Sequence, residues 1–322
     1  MLANVDPARP PVIVELCCGT SITTLTLLAG LDARSPTSYQ GSKLGYRQAV
    51  LDELGLEPGA GAGAVLLCDP GPWSRAWSTL STPAGCAGVS EQLRAWHGED
   101  PAALWTRLRH EAPPDGSDTA AWLVLQSWNY ARKPAEPGKL SFNRGAAYVA
   151  SGSGSGRIAD RVDELVQIPW PAASRFEPTS ALDVDPAEVA SWLVEERVVD
   201  PPPFGAVLNG TVVYIDPPYQ GTSGYRYKLA RSDVLELAHL WADAGATVAV
   251  SEAVPLDAEL GAGWRAVEIT DRRVGPRRTW SRQQREWLTI NRPAAGRRLR
   301  RATSRPPARE QTRVTRQGQT SG

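Results

Sequence analysis

The reading of this sequence turns on Thr211–Tyr225, "TVVYIDPPYQGTSGY". Five β-favouring residues, Thr211–Ile215, read as a buried strand. An acid, two prolines and a tyrosine follow at once: Asp216, Pro217, Pro218 and Tyr219. Each proline locks its own φ and biases the residue before it towards extended backbone. The strand therefore runs into a stiff, pre-shaped loop. That loop offers a carboxylate, the backbone carbonyl of Pro217 and the flat ring of Tyr219. Two acceptors beside one aromatic face suit an exocyclic amino group on a planar base, which donates two hydrogen bonds while its ring stacks.

The flanks of this stretch set the fold class. Downstream, Val234, Leu237, Ala238 and Trp241 share a helical face, with Ser232 as the expected cap and Gly245 as the stop. Thr247–Ala253 reads as the next strand, and "WRAVEIT" and "EWLTINR" as a final antiparallel pair. Upstream, Pro11–Leu16 reads as a short buried strand, Gly19 as a turn, and Ser21–Leu28 as helical or extended. Tyr46, Ala49, Val50 and Leu54 sit at helical spacing ahead of Gly55, and Ala64–Cys68 reads as a strand ending in Asp69. Residues 89–111 read as helical, broken near Gly98 and Pro101. Strands alternating with helices predict an α/β fold: a Rossmann-like, largely parallel twisted sheet flanked by helices. Ligands of such sheets bind at the carboxyl ends of the strands, where both Asp216 and Asp69 are expected. Asp69 reads as a ribose acceptor there, or as a turn residue before Pro70-Gly71. "GSGSG" at 152–156 reads as a flexible linker, and residues 171–203, rich in Pro and acids, give no clear period.

Composition narrows the classes. The chain has 322 residues with a 42% hydrophobic share, enough to bury a sizeable core. No apolar run approaches a membrane span, and the N-terminus lacks the basic and apolar regions of a signal peptide, so a cytoplasmic protein with no membrane partner is expected. The four cysteines form no CxxC pair and the three histidines are scattered, so neither zinc nor a disulfide framework is expected. Net charge is zero but uneven: residues 291–322 hold nine Arg and one Glu, leaving an acidic body of about −8. That tail has almost no large apolar residues and reads as disordered, suited to phosphate backbones or only to solubility.

Asp-Pro-Pro-Tyr behind a hydrophobic strand resembles the catalytic motif of amino-methyltransferases that modify adenine N6 or cytosine N4. Its aspartate form is similar to that of the Dam-like DNA adenine methyltransferases. The resemblance implies a methyltransferase fold that uses S-adenosylmethionine on double-stranded DNA with the target base flipped out. It implies that Asp216 and the Pro217 carbonyl hold the target amino group and that Tyr219 stacks on the base. No metal is needed for such a reaction. "VELCCGTS" is similar to the family's cofactor motif, Glu15 matching its acid and Gly19 its first loop glycine. Leu16-Cys17 stand where the family has Pro-Phe, and Ser21 where it has a second glycine. "YQGSK" resembles the family's Gly-Gly-Lys segment near the cofactor's methionine end, through Gly41 and Lys43; a surface loop with a solvated lysine is the alternative.

By the same likeness, 1–110 is a cofactor-binding half, 111–203 an inserted target-recognition region, 204–292 a catalytic half and 293–322 the basic tail. Lys133, Lys139, Asn143 and Arg144 are the candidate DNA contacts in the inserted region. Tyr225 and Arg226 are candidates for closing over the base, while Trp128 and Tyr130 read as core. Two alternatives stay open on sequence: the same chemistry on cytosine N4, RNA or protein, and a nucleic-acid-binding protein on a degenerate methyltransferase scaffold.

Overall fold

The computed structural model describes residues 10–17, 22–37, 43–113, 115–129, 140–144, 147, 154–199, 208–219, 227–270 and 285–292. Seven strands form one sheet: β1 (Val12–Leu16), β2 (Ala64–Cys68), β3 (Ala173–Glu177), β4 (Thr211–Ile215), β5 (Thr247–Glu252), β6 (Arg265–Glu268) and β7 (Trp287–Ile290). Their order is β3-β2-β1-β4-β5-β7-β6. β3, β2, β1, β4 and β5 run parallel, while β7 is antiparallel to both β5 and β6. The α/β architecture with a mostly parallel sheet is therefore as the sequence predicts.

The central strands are short and buried on both faces. β1, β2 and β4 are inaccessible along their whole length, so a near-continuous apolar run serves better than alternation. Their side chains still part by period two. Val12, Val14 and Leu16 face one core with α8 (Pro186–Glu195) and α9 (Arg231–Asp243). Ile13, Val65, Leu67 and Tyr214 face the other, against α1 (Ile22–Ala29), α2 (Arg47–Leu54) and a helical excursion. Each fully buried Val or Leu contributes about 1.5–3 kcal/mol.

The excursion leaves the sheet after β2 and returns at β3. It comprises α3 (Pro72–Leu80), α4 (Pro83–Ala95), α5 (Pro101–Glu111), α6 (Thr119–Trp128) and α7 (Gly154–Leu165). Tryptophans bind it together: Trp73 meets Trp122 edge-on at 4.6 Å and stacks on Trp77 at 5.9 Å between ring centroids. Trp128 is buried, as read from the sequence. The interval 111–203 thus holds α6, α7, α8 and the edge strand β3, which pairs with β2.

Three local expectations are corrected or resolved. The 154–156 part of "GSGSG" is no linker but the first turn of α7, because Ile158, Ala159, Val162 and Leu165 bury one helical face and carry the helix back to Gly154. Ser232 is not the cap of α9. Ala230 holds that position, and the Asp233 carboxylate accepts the Ala230 N–H at 3.1 Å. Ile22–Ala29 is helical, not extended. Among the described residues no helix is long and apolar enough to cross a membrane.

Candidate active site

The chain builds β2 and β3 outward on one side of β1, and β5 on the far side of β4. The strand order therefore reverses between β1 and β4, and in open α/β sheets ligands bind in the crevice beyond the strand ends at that point. Leu16 pairs with Ile215 in register, and the Asp216 N–H donates to the Leu16 carbonyl at 3.2 Å. Asp216 thus leaves the sheet where β1 also ends. Cys17, the next residue of β1, has φ 60°, a left-handed conformation that costs a non-glycine residue about 1–2 kcal/mol.

An antiparallel strand brings its amino end to the face where parallel strands bring their carboxyl ends. Glu286, immediately before β7, is accordingly a neighbour of the Asp216 loop. Between the two lies Lys43, in the 3₁₀ turn Lys43–Gly45 that precedes α2. Its ammonium is 3.1 Å from Asp216 Oδ1 and 2.9 Å from Glu286 Oε1, and it donates to the Tyr219 hydroxyl. A lysine has three N–H groups, and these three partners use them all. The solvated-lysine alternative is therefore excluded: Lys43 is buried.

The network continues inward. The Tyr219 hydroxyl donates to Glu286. Ser251 Oγ donates to the same carboxylate at 3.1 Å and accepts from the Tyr214 hydroxyl at 3.1 Å. Thr270 Oγ1 accepts the Glu286 N–H at 2.8 Å. Within the charged trio, the Lys43 and Glu286 side chains are 5% and 6% exposed and that of Asp216 is 21%. Asp216 is thus the member that faces outward. Burial pushes its carboxyl up to about 6, against the Lys43 charge, which pulls it down, and with Glu286 adding to the rise. Burial disfavours the Lys43 ammonium, but Asp216 and Glu286 outweigh that and hold it charged well above the usual lysine range.

Glu15, on β1, is buried and accepts a hydrogen bond from the Thr24 hydroxyl of α1. Burial raises its carboxyl to about 8, the Thr24 bond opposing and Asp216 adding. Between its ordinary value and about 8, the folded state binds this proton and the unfolded chain releases it. Folding stability then falls as pH rises through that window, by up to a few kcal/mol. Glu15→Gln, which keeps an acceptor for Thr24, is expected to raise the melting temperature by several degrees at pH 8 and hardly at pH 4.5. A pH series of thermal melts reads this, and a difference that does not change with pH would count against it.

Asp69 stands at the end of β2, half-buried. Its Oδ1 accepts the Gly71 N–H at 2.7 Å, and its carbonyl accepts from Ser74 Oγ at 2.9 Å. It is thus at least the turn residue that precedes α3. Burial holds the Cys17 thiol well above the thiol range, with Asp69 adding to the effect. Asn143 is half-buried, its N–H donating to the Trp128 carbonyl at 2.7 Å, and Arg144 is exposed. Gly19, Gly41, Tyr130, Lys133, Lys139, Tyr225, Arg226 and the tail 293–322 lie outside the described residues.

Three stretches far apart in sequence, at 43, 216–219 and 286, therefore meet at one point. Sequence reasoning missed Glu286, Ser251 and Tyr214. A signal existed: Glu286 abuts the apolar run of an antiparallel strand, as Asp216 abuts that of a parallel one. No protein-family model matches the chain, and no curated protein matches it.

Proposed function

We propose that this protein transfers a methyl group from S-adenosylmethionine to the exocyclic amino group of adenine in DNA. One observation carries the reading: the Asp-Pro-Pro-Tyr loop leaves β4 at the point where the strand order reverses, with Asp216 the outward-facing member of a buried charged trio. The Rossmann-like sheet supports a nucleotide-containing cofactor at the ends of β1 and β2. The residues there fit one. Asp69, half-buried at the end of β2, places a carboxylate where such folds hold ribose hydroxyls. The turn at Cys17 and the acid Glu15 line the adjacent strand end.

When bound, S-adenosylmethionine supplies a methyl group on a sulfonium centre, which needs no further activation. The protein's part is positioning and electrostatics. Asp216 accepts one N–H of the target amino group and the Pro217 carbonyl accepts the other. Both bonds draw the nitrogen lone pair out of conjugation with the ring and aim it. Asp216 can take the proton that the methylated nitrogen releases. Tyr219, its hydroxyl anchored, gives a fixed plane on which a flipped base stacks. Lys43 has its donors engaged and acts through Asp216. Pro218 stiffens the loop.

The test is cofactor binding in solution. S-adenosylmethionine at about a hundred times its dissociation constant is expected to stabilise the folded protein by about 2.7 kcal/mol, seen as a higher melting temperature. Asp69→Ala is expected to remove most of that shift. No shift with the unmodified protein would leave the reading without a cofactor and favour a binding protein on the same scaffold.

A further inference from the structure

We propose that Glu286 is a positioning residue of this site: through Lys43 it sets the charge of Asp216, and with its own carboxylate it fixes the hydroxyl of Tyr219. The proposal rests on the methyltransferase reading only for the reaction it serves.

The geometry carries it. One ammonium is shared between two carboxylates, 3.1 Å from one and 2.9 Å from the other. Each carboxylate therefore competes for the charge that the other needs. Glu286 is the fixed end of the pair. Its backbone N–H is held by Thr270 and the Ile269 N–H donates to its carbonyl at 2.8 Å, while Ser251 and Tyr219 donate to its carboxylate. Asp216 is the exposed end. A rigid inner acid, a shared lysine and an outer acid form a lever. Its setting decides how much negative charge Asp216 shows to a ligand.

Other elements face Asp216 as well. Glu252 ends β5 and is buried, and its carboxyl opposes the charge of Asp216 in the same sense as Glu286. Glu15 of β1 feels Asp216, and so do the Tyr214 phenol of β4 and the Cys17 thiol. Of these groups only Glu252 joins Glu286 in opposing the Asp216 charge, the others being held uncharged by burial, and Lys43 works the other way. Removing the Glu286 charge should therefore leave Lys43 to Asp216 alone, and removing the Lys43 charge should do the reverse.

The experiment follows the Asp216 carboxyl by ¹³C NMR in the free protein, with Asp216→Asn identifying the resonance. In Glu286→Gln, which keeps an acceptor for Tyr219 and Ser251, the Asp216 midpoint is expected to fall by about one pH unit, a tenfold change in proton affinity. In Lys43→Met it is expected to rise; should that variant fail to fold, Glu252→Gln supplies a second downward shift. The acid limb of the pH profile for methyl transfer is expected to move with the midpoint, with KM for DNA little changed. An unmoved midpoint in Glu286→Gln, or a rate lost equally at every pH, overturns the proposal. Midpoints that move in a protein that methylates nothing would uphold the charge coupling and sink the methyltransferase reading.

Discussion

Asp216→Ala is expected to abolish methyl transfer to DNA, by on the order of a thousandfold or more in kcat, while binding of S-adenosylmethionine stays within a few-fold of wild type. Two effects combine. The target amino group loses the acceptor that aims its lone pair, and the proton released on methylation loses its first acceptor. The fold should survive, because Lys43 keeps Glu286 and Tyr219 as partners. The substitution also removes a carboxyl that burial holds at about 6. Above its ordinary value such a group lowers folding stability as pH rises, so the variant should melt no lower than wild type at pH 7.5. Kinetics with a saturating cofactor, paired with thermal melts, reads both effects. Loss of cofactor binding in a folded variant would move Asp216 from the target side to the cofactor side of the site.

Lys43→Met is the change with the largest expected effect on stability. It leaves Asp216 and Glu286 side by side without a cation, and breaking a buried pair from one side costs about 3–5 kcal/mol. For a chain of 322 residues that is roughly 4–8 °C in melting temperature. The sign with pH is distinctive. Without Lys43 the Asp216 midpoint lies above its wild-type value of about 6, so towards pH 5 the carboxyl takes a proton and the uncompensated charge drops. The deficit against wild type should therefore shrink between pH 8 and pH 5. A deficit of equal size at both would mean that Lys43 matters for packing and not for charge.

Much of this architecture was legible because burial on both faces forces apolar runs. "VIVEL", "AVLLC" and "TVVYI" could hardly be anything else once turn residues bounded them. The Asp-Pro-Pro-Tyr stretch was legible for the opposite reason, as polar and rigid chemistry set directly against a strand end. β3, "ASRFE", was not legible, since an edge strand half open to solvent mixes polar and apolar residues without a strong period. Glycine content disguised the start of α7, whose apolar face lies entirely downstream. The partnership of Lys43, Asp216 and Glu286 was hidden because no local rule relates residues 43, 216 and 286. It follows from the strand order and from the reversed direction of β7, which are properties of the whole sheet.

The central claim is that the Asp-Pro-Pro-Tyr loop directs methyl transfer to adenine, and one reaction tests it most directly. Purified protein is incubated with methyl-labelled S-adenosylmethionine and unmethylated DNA of mixed sequence. The DNA is then digested to nucleosides and analysed by mass spectrometry, with Asp216→Ala alongside. The account predicts labelled N6-methyldeoxyadenosine from the wild type and none from the variant. Unlabelled DNA from a wild-type protein that binds the cofactor, or equal labelling by Asp216→Ala, would contradict it.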